Sequence, residues 1–113
     1  MEITTIKETV ETIHITDPVV SFARFCFNSS GDLFVSSDYG FYAYSWRSFG
    51  PDFKSFLAQS NVEYLLEKLE YTYRFATKKA IPKYWKQNLR VLIEVFINHL
   101  KNDALNVGFE CHS

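Results

Sequence analysis

Positively charged side chains are concentrated in one stretch of this 113-residue chain. The 23 residues from Tyr71 to Ile93 contain six Lys and Arg and no Asp or Glu, whereas the whole chain has a net charge of −1 and the rest therefore sums to −7. Such groups bind phosphates and carboxylates, and a neighbouring Tyr84 or Trp85 ring could stack on a partner. The pattern predicts a partner-binding surface that consists of Tyr84 and the six cations, Arg74, Lys78, Lys79, Lys83, Lys86 and Arg90. The alternative is a solvated face whose lysines near Lys78 offset a helix dipole.

Signatures of catalysis are absent from the sequence. The four glycines are scattered, so there is no phosphate-binding glycine loop, and HExxH, GxSxG and paired CxxC motifs do not occur. A metal held by Cys111 and His112 would need two more ligands that the sequence does not offer nearby. Asp38 is the best candidate for a general base, but an aspartate before Tyr-Gly is typical of a turn former that binds backbone amides. The sequence therefore predicts a protein that is not an enzyme and that uses no metal or other cofactor.

The cysteines and the N-terminus indicate the compartment. Cys26 lies in an apolar run, where a small buried thiol is a better interpretation than a disulfide with Cys111. The N-terminus lacks the basic start and apolar core of a signal peptide, and no stretch approaches the roughly 18 apolar residues that span a membrane. We expect a cytoplasmic protein with no membrane partner.

The first half of the chain predicts four β-strands. β-branched residues pack well on a pleated sheet, and turn residues follow each apolar run. The second run is apolar on both faces, which predicts a central strand. The predicted strands are Ile3–Thr16, Val19–Phe27, Leu33–Ser36 and Phe41–Trp46.

The second half predicts three helices. A short one starts at Pro51 or Asp52 and carries Phe53, Phe56 and Leu57; a second starts at the capping box Ser60–Glu63 and ends near Lys78; the third runs from Pro82 to Lys101. Four strands followed by three helices predict an α+β fold, an antiparallel meander with the helices packed on one face.

We expect a single domain over residues 1–113. Residues 102–113 form a flexible tail in this interpretation, with Leu105, Val107 and Phe109 as an alternative edge strand. Apolar Val91, Val95 and Ile97 widen the stripe of the last helix and would suit either a homodimer or the sheet.

Aromatic residues at alternate positions of the fourth strand have two interpretations. Tyr42, Tyr44 and Trp46 could stack on bases, as in single-strand binders, or fill the sheet face that the helices cover. Because at least two amphipathic helices need such a face, we favour the core.

Three segments of the sequence carry a family resemblance. SSDYGFYAYSW ends in Trp46 and is followed by Phe53–Leu57 and by YLLEKL at Tyr64–Leu69. Together they resemble a group of small, mostly uncharacterised proteins of bacteriophages and prophages, over roughly residues 31–70. The resemblance implies the bacterial host cytoplasm and an accessory gene, and proteins of this kind often inhibit a host protein.

We therefore expect a non-enzymatic phage or prophage accessory protein that binds and modulates a host macromolecule. The partner is a host protein or a protein–nucleic acid complex, and an inhibitor of a defence system such as a CRISPR effector is the concrete version. The alternative is a small nucleic-acid-binding protein that uses the basic segment of residues 74–90 for phosphate contacts.

Overall fold

The protein has the predicted α+β fold, with four strands followed by three helices. The computed structural model describes residues 1–19 and 21–112, with side chains described over residues 1–19 and 22–103. The strands form an antiparallel meander in the order β1-β2-β3-β4. The elements are β1 (Val10–Asp17), β2 (Ser21–Asn28), β3 (Asp32–Ser37), β4 (Gly40–Ser45), α1 (Phe53–Gln59), α2 (Val62–Thr77) and α3 (Lys83–His112).

The turn between β2 and β3 depends on Asn28 and Gly31. The Asn28 side-chain oxygen accepts hydrogen bonds from the backbone N–H of Ser30 (3.0 Å) and of Asp32 (3.1 Å). Gly31 has φ of 98°, and a Cβ at this position would lie 2.3 Å from the carbonyl oxygen of Trp46. Only glycine fits both the conformation and the close approach. The turn therefore fixes the register of the hairpin.

One face of the sheet packs against the helices and forms the core. On β2 the inward side chains Ala23, Phe25 and Phe27 are buried, and the Phe25 ring stacks on Phe96 of α3 with 4.3 Å between centroids. Burial of an aromatic or aliphatic side chain contributes about 1.5–3 kcal/mol.

The aromatic residues on the inner face of β4, together with Trp46 directly after it, belong to this core. Tyr42 is 4% exposed and Trp46 7%, while the Trp46 indole N–H donates to the Tyr64 hydroxyl at 2.9 Å. Burial raises the pKa of Tyr42 to about 12, with Tyr73 and Glu70 adding to the shift, so its hydroxyl stays protonated and donates to the Tyr39 carbonyl. The core interpretation is confirmed, and base stacking on this face is excluded.

The opposite face of the sheet has no helix over it within the described chain. Phe34 and Phe41 point from this face and are 50% and 78% exposed. Cys26 lies on β2 opposite Phe34 and is half-buried. It is therefore not the buried core thiol that the apolar run predicted. β2 is central, as expected, but only one of its two apolar faces is covered.

The first strand is shorter than predicted. Residues 1–9 lie outside the sheet and belong to no helix or strand, and pairing with β2 begins at Val10 opposite Asn28. Because β2 ends at Asn28 and the chain then turns, an earlier start of β1 would have no neighbour for its backbone hydrogen bonds.

Two helix boundaries differ from the prediction. Asn61 caps α2 by accepting from the Tyr64 N–H at 2.8 Å, whereas Ser60 closes α1 and donates to the Phe56 carbonyl. An amide side chain competes well with a hydroxyl for the N-cap position. Pro82 is the residue before α3, and its carbonyl accepts from Lys86 N–H at 2.9 Å.

The last helix is longer than predicted and continues to His112. The alternative of an edge strand over residues 105–109 is wrong, because neither proline nor glycine interrupts the helix before Gly108. Flexibility of residues 102–113 stays a prediction. The disulfide and metal interpretations that involve Cys111 and His112 concern side chains outside the described residues.

Candidate binding surface

The basic segment folds into the end of a helical hairpin. α2 ends at Thr77, residues 78–82 form the loop, and α3 begins at Lys83. Lys78 closes α2 with its backbone in the left-handed region, φ 64°, and its N–H donates to the Arg74 carbonyl at 2.8 Å. Glycine is the usual residue in this C-terminal cap. The loop thus brings the ends of both helices, and the lysines they carry, to one side of the molecule.

Glu70 holds the two helices together beneath the loop. Its carboxylate accepts from the Lys86 ammonium at 3.1 Å and from the Ile81 N–H at 3.3 Å. It also pairs with Arg74, four residues further along α2, at 3.8 Å. Burial raises the pKa of Glu70, but the bonds from Lys86 and Ile81 and the nearby Arg74 charge outweigh it and leave the pKa below its usual value. Glu70 is therefore ionised and pairs with two of the six cations.

The six predicted cations divide into two groups. Arg90 pairs with Glu63 on α2, and Arg74 and Lys86 pair with Glu70. Lys78, Lys79 and Lys83 are exposed, and no described carboxylate lies within ion-pair distance of them. Of the six predicted cations, these three lysines are the ones whose charges are available to bind a partner.

Exposed aromatic rings accompany the three unpaired lysines. Phe75 is 73% exposed, Tyr71 and Tyr84 are each 66% exposed, and the Lys78 ammonium lies 5.0 Å from the centre of the Phe75 ring. We call Tyr71, Phe75, Lys78, Lys79, Lys83 and Tyr84 the hairpin surface.

The sequence pattern predicted Tyr84 and the three lysines but not Tyr71 and Phe75. A signal was present, because Tyr71 and Phe75 are four residues apart and both lie off the buried α2 stripe of Leu65, Leu66 and Leu69. Large aromatics off the apolar stripe of a helix are candidates for partner contacts.

A protein-family model described as a phage family matches residues 1–107. The chain belongs to this phage family. The match covers almost the whole chain, the hairpin surface included. Curated proteins and solved structures give no match to this phage-family chain.

A groove runs beside β4 of the phage-family chain. Its volume is about 780 Å³, and its wall combines residues of the open sheet face with residues of α2. We call it the β4 groove; among its lining residues are Phe34, Phe41, Tyr73, Ala76 and Trp85. It lies where sequence analysis expected no site.

The Asp38 carboxylate accepts from the Phe22 N–H of β2 at 3.2 Å, so it binds a backbone amide, but one outside its own turn. Among the described residues there is no group of three or more His, Cys, Asp or Glu that could hold a metal ion. None of the described helices has the length and apolar character needed to cross a membrane.

The apolar residues expected to widen the α3 stripe have different environments. Ile97 is buried in the core, whereas Val91 and Val95 are each 44% exposed. A homodimer through this helix stays a prediction, now limited to the two valines.

Proposed function

We propose that this phage-family protein is a non-enzymatic accessory protein that binds and modulates a host protein through the hairpin surface. The observation that carries the proposal is the pairing pattern of the basic segment. Lys78, Lys79 and Lys83 have no carboxylate partner among the described residues, while their three neighbouring cations do. A host defence protein, such as a CRISPR effector, is the concrete target.

The chemistry of the hairpin surface fits an acidic protein partner. Aromatic residues at the centre of interfaces supply much of the binding energy, and surrounding charges select the partner and speed association. Phe75 and Tyr84 supply large rings, and the lysines would meet Asp, Glu or phosphate groups. Burial of these rings in a complex would remove apolar surface that is now in water.

The double variant Lys79→Glu, Lys83→Glu tests the proposal. We expect a defined protein from nuclease-treated bacterial extract to be captured by the wild type and bound at least about tenfold more weakly by the variant, since two attractive charges become repulsive. Capture is measured by affinity pull-down and the affinity by titration with the purified partner. Lys86 is left unchanged because it pairs with Glu70.

The matched control is Arg47→Glu, Lys101→Glu, which changes the net charge equally at exposed positions elsewhere. This control should retain the partner. Equal loss of capture in both variants would show that total charge matters and the hairpin surface does not.

The second candidate function is nucleic-acid binding by the same unpaired lysines. Each phosphate contact contributes roughly 0.7–0.9 to the slope of log K against log salt, so Lys79→Glu, Lys83→Glu should reduce the slope by about 1.4–1.8. Fluorescence anisotropy with labelled single- and double-stranded oligonucleotides measures it. Absence of binding at low salt would eliminate this candidate and leave the host-protein proposal intact.

A further inference from the structure

The N-terminal segment has the composition of a strand but no neighbouring strand. Residues 1–9, MEITTIKET, belong to no helix or strand, and their apolar side chains Met1, Ile3 and Ile6 are 118%, 89% and 73% exposed. The Glu8 side chain accepts from the Ser30 hydroxyl at the turn between β2 and β3. We call residues 1–9 the N-terminal arm. β-branched residues in an extended chain favour pairing with another strand.

The outer edge of β4 offers free backbone groups. Trp46 N–H donates to the Gly31 carbonyl at 2.9 Å, which marks these two residues as a hydrogen-bonded pair. Hydrogen-bonded and non-hydrogen-bonded pairs alternate along an antiparallel ladder. The register of β3 and β4 therefore directs the N–H and C=O groups of Phe41 and Ala43 away from β3. β4 is the last strand of the sheet, so this edge is unpaired in the described chain.

The β4 groove would accommodate the side chains of a strand added at this edge. Tyr73 and Ala76 of α2 line it on one side of the sheet, and Phe34 and Phe41 line it on the other. Side chains of an added strand alternate between these two sides. The edge of β1 differs, because its open-face residues Thr12, His14 and Thr16 are polar and exposed, so an added strand would bury less apolar surface there.

We propose that the N-terminal arm of a second copy pairs with β4, and that two copies exchange arms reciprocally. Nine extended residues span about 30 Å, more than the six residues of β4 require. Within its own chain the arm leaves from β1, at the opposite edge of the sheet, and its apolar residues stay in water. A two-fold exchange covers both arms and both edges at once.

The number of residues available agrees with this occupant. The nine arm residues and the sixteen residues that line the groove supply 25 residues per copy. Stable interfaces contain about 20–30 residues on each side.

The test uses the full chain, a deletion of residues 2–9, Ala43→Pro and Ala43→Ser. Proline at residue 43 removes the outward N–H without removing a hydrogen bond to β3, and serine retains it. Light scattering on a sizing column gives the mass of each, and circular dichroism checks that each is folded. Hydrogen exchange reports the protection of the Phe41 and Ala43 amides.

We expect the full chain and Ala43→Ser to have the mass of two chains. In the full chain, the amides of Phe41 and Ala43 should both be protected from exchange. The deletion and Ala43→Pro should have the mass of one chain, and the Phe41 amide should then exchange freely. A synthetic peptide of residues 1–10 should restore protection in the deletion variant. If the deletion variant fails to fold, the mass of Ala43→Pro alone tests the proposal.

A full chain that is monomeric at the highest soluble concentration, with freely exchanging β4 amides, would overturn the proposal. So would a dimer whose mass Ala43→Pro leaves unchanged. The arm-exchange proposal does not depend on host-protein binding. The mass of the protein and the capture of a host protein are measured separately, so one proposal can fail while the other holds.

Discussion

Phe96→Ala is expected to lower the free energy of unfolding by about 3–5 kcal/mol. Phe96 is fully buried in the middle of α3, its ring stacks on Phe25 at 4.3 Å, and it meets Phe27 edge-on at 6.1 Å. Alanine leaves a cavity between α3 and the central strand that the surrounding rings cannot fill without changing their rotamers. A domain of this size has about 5–15 kcal/mol of stability in total.

Urea unfolding followed by circular dichroism measures this change. Val95→Ala is the matched control, because Val95 is the preceding residue of the same helix and is 44% exposed. It should change the stability by no more than about 0.5 kcal/mol. Similar losses for both variants would show that α3 does not pack on the sheet through Phe96.

Glu70→Ala is expected to cost about 2–3 kcal/mol at neutral pH. The substitution leaves the buried Ile81 N–H and the partly exposed Lys86 ammonium without their carboxylate. Loss of one partner from such a group costs more than the net value of the hydrogen bond, since the other partner stays desolvated. The helical hairpin is the region that loosens. Glu67→Ala, an exposed substitution on the same helix, is the control and should be near neutral.

The same carboxylate predicts a pH dependence of stability. The pKa of Glu70 is lower in the folded protein than in the unfolded chain, because the bonds from Lys86 and Ile81 outweigh burial. Its contribution is therefore present above the unfolded pKa of about 4.3 and is lost as the pH falls through the folded value. Unfolding of wild type and Glu70→Gln from about pH 7 to about pH 3 measures it. The difference between the two should shrink toward low pH, and a constant difference would contradict this role.

Local signals in the sequence predicted most of the fold. Asn28 and Gly31 make the turn, Asp52 caps α1 through the Ser55 N–H, and the apolar stripes of α2 and α3 are the buried ones. Each signal acts within a few residues, where the chemistry of the side chain decides the backbone conformation. The predicted start of β1 was wrong because it depends on a distant partner: residues 1–9 have strand composition but no strand beside them.

The sequence predicted only part of the candidate surface. The six cations were identified by counting, but Glu70 lies 16 residues from Lys86, and Glu63 lies 27 from Arg90. These pairs form only when α2 and α3 are side by side, so no local pattern identifies Lys86 and Arg90 as paired. Arg74 differs, because its partner Glu70 lies four residues earlier on the same helix. The groove beside β4 depends in the same way on which face of the sheet the helices leave open.

Lys78 illustrates a conflict between stability and recognition. It is the one described residue other than glycine with a positive φ, in a cap where glycine is usual. A side chain in that conformation costs roughly 1–2 kcal/mol, which glycine would avoid. The chain accepts this strain and thereby keeps an ammonium group above Phe75, at the outermost point of the hairpin. Glycine at this position would make the cap more stable, but it would remove the charge at the point where we expect the partner to bind. Selection for stability alone would therefore weaken the hairpin surface.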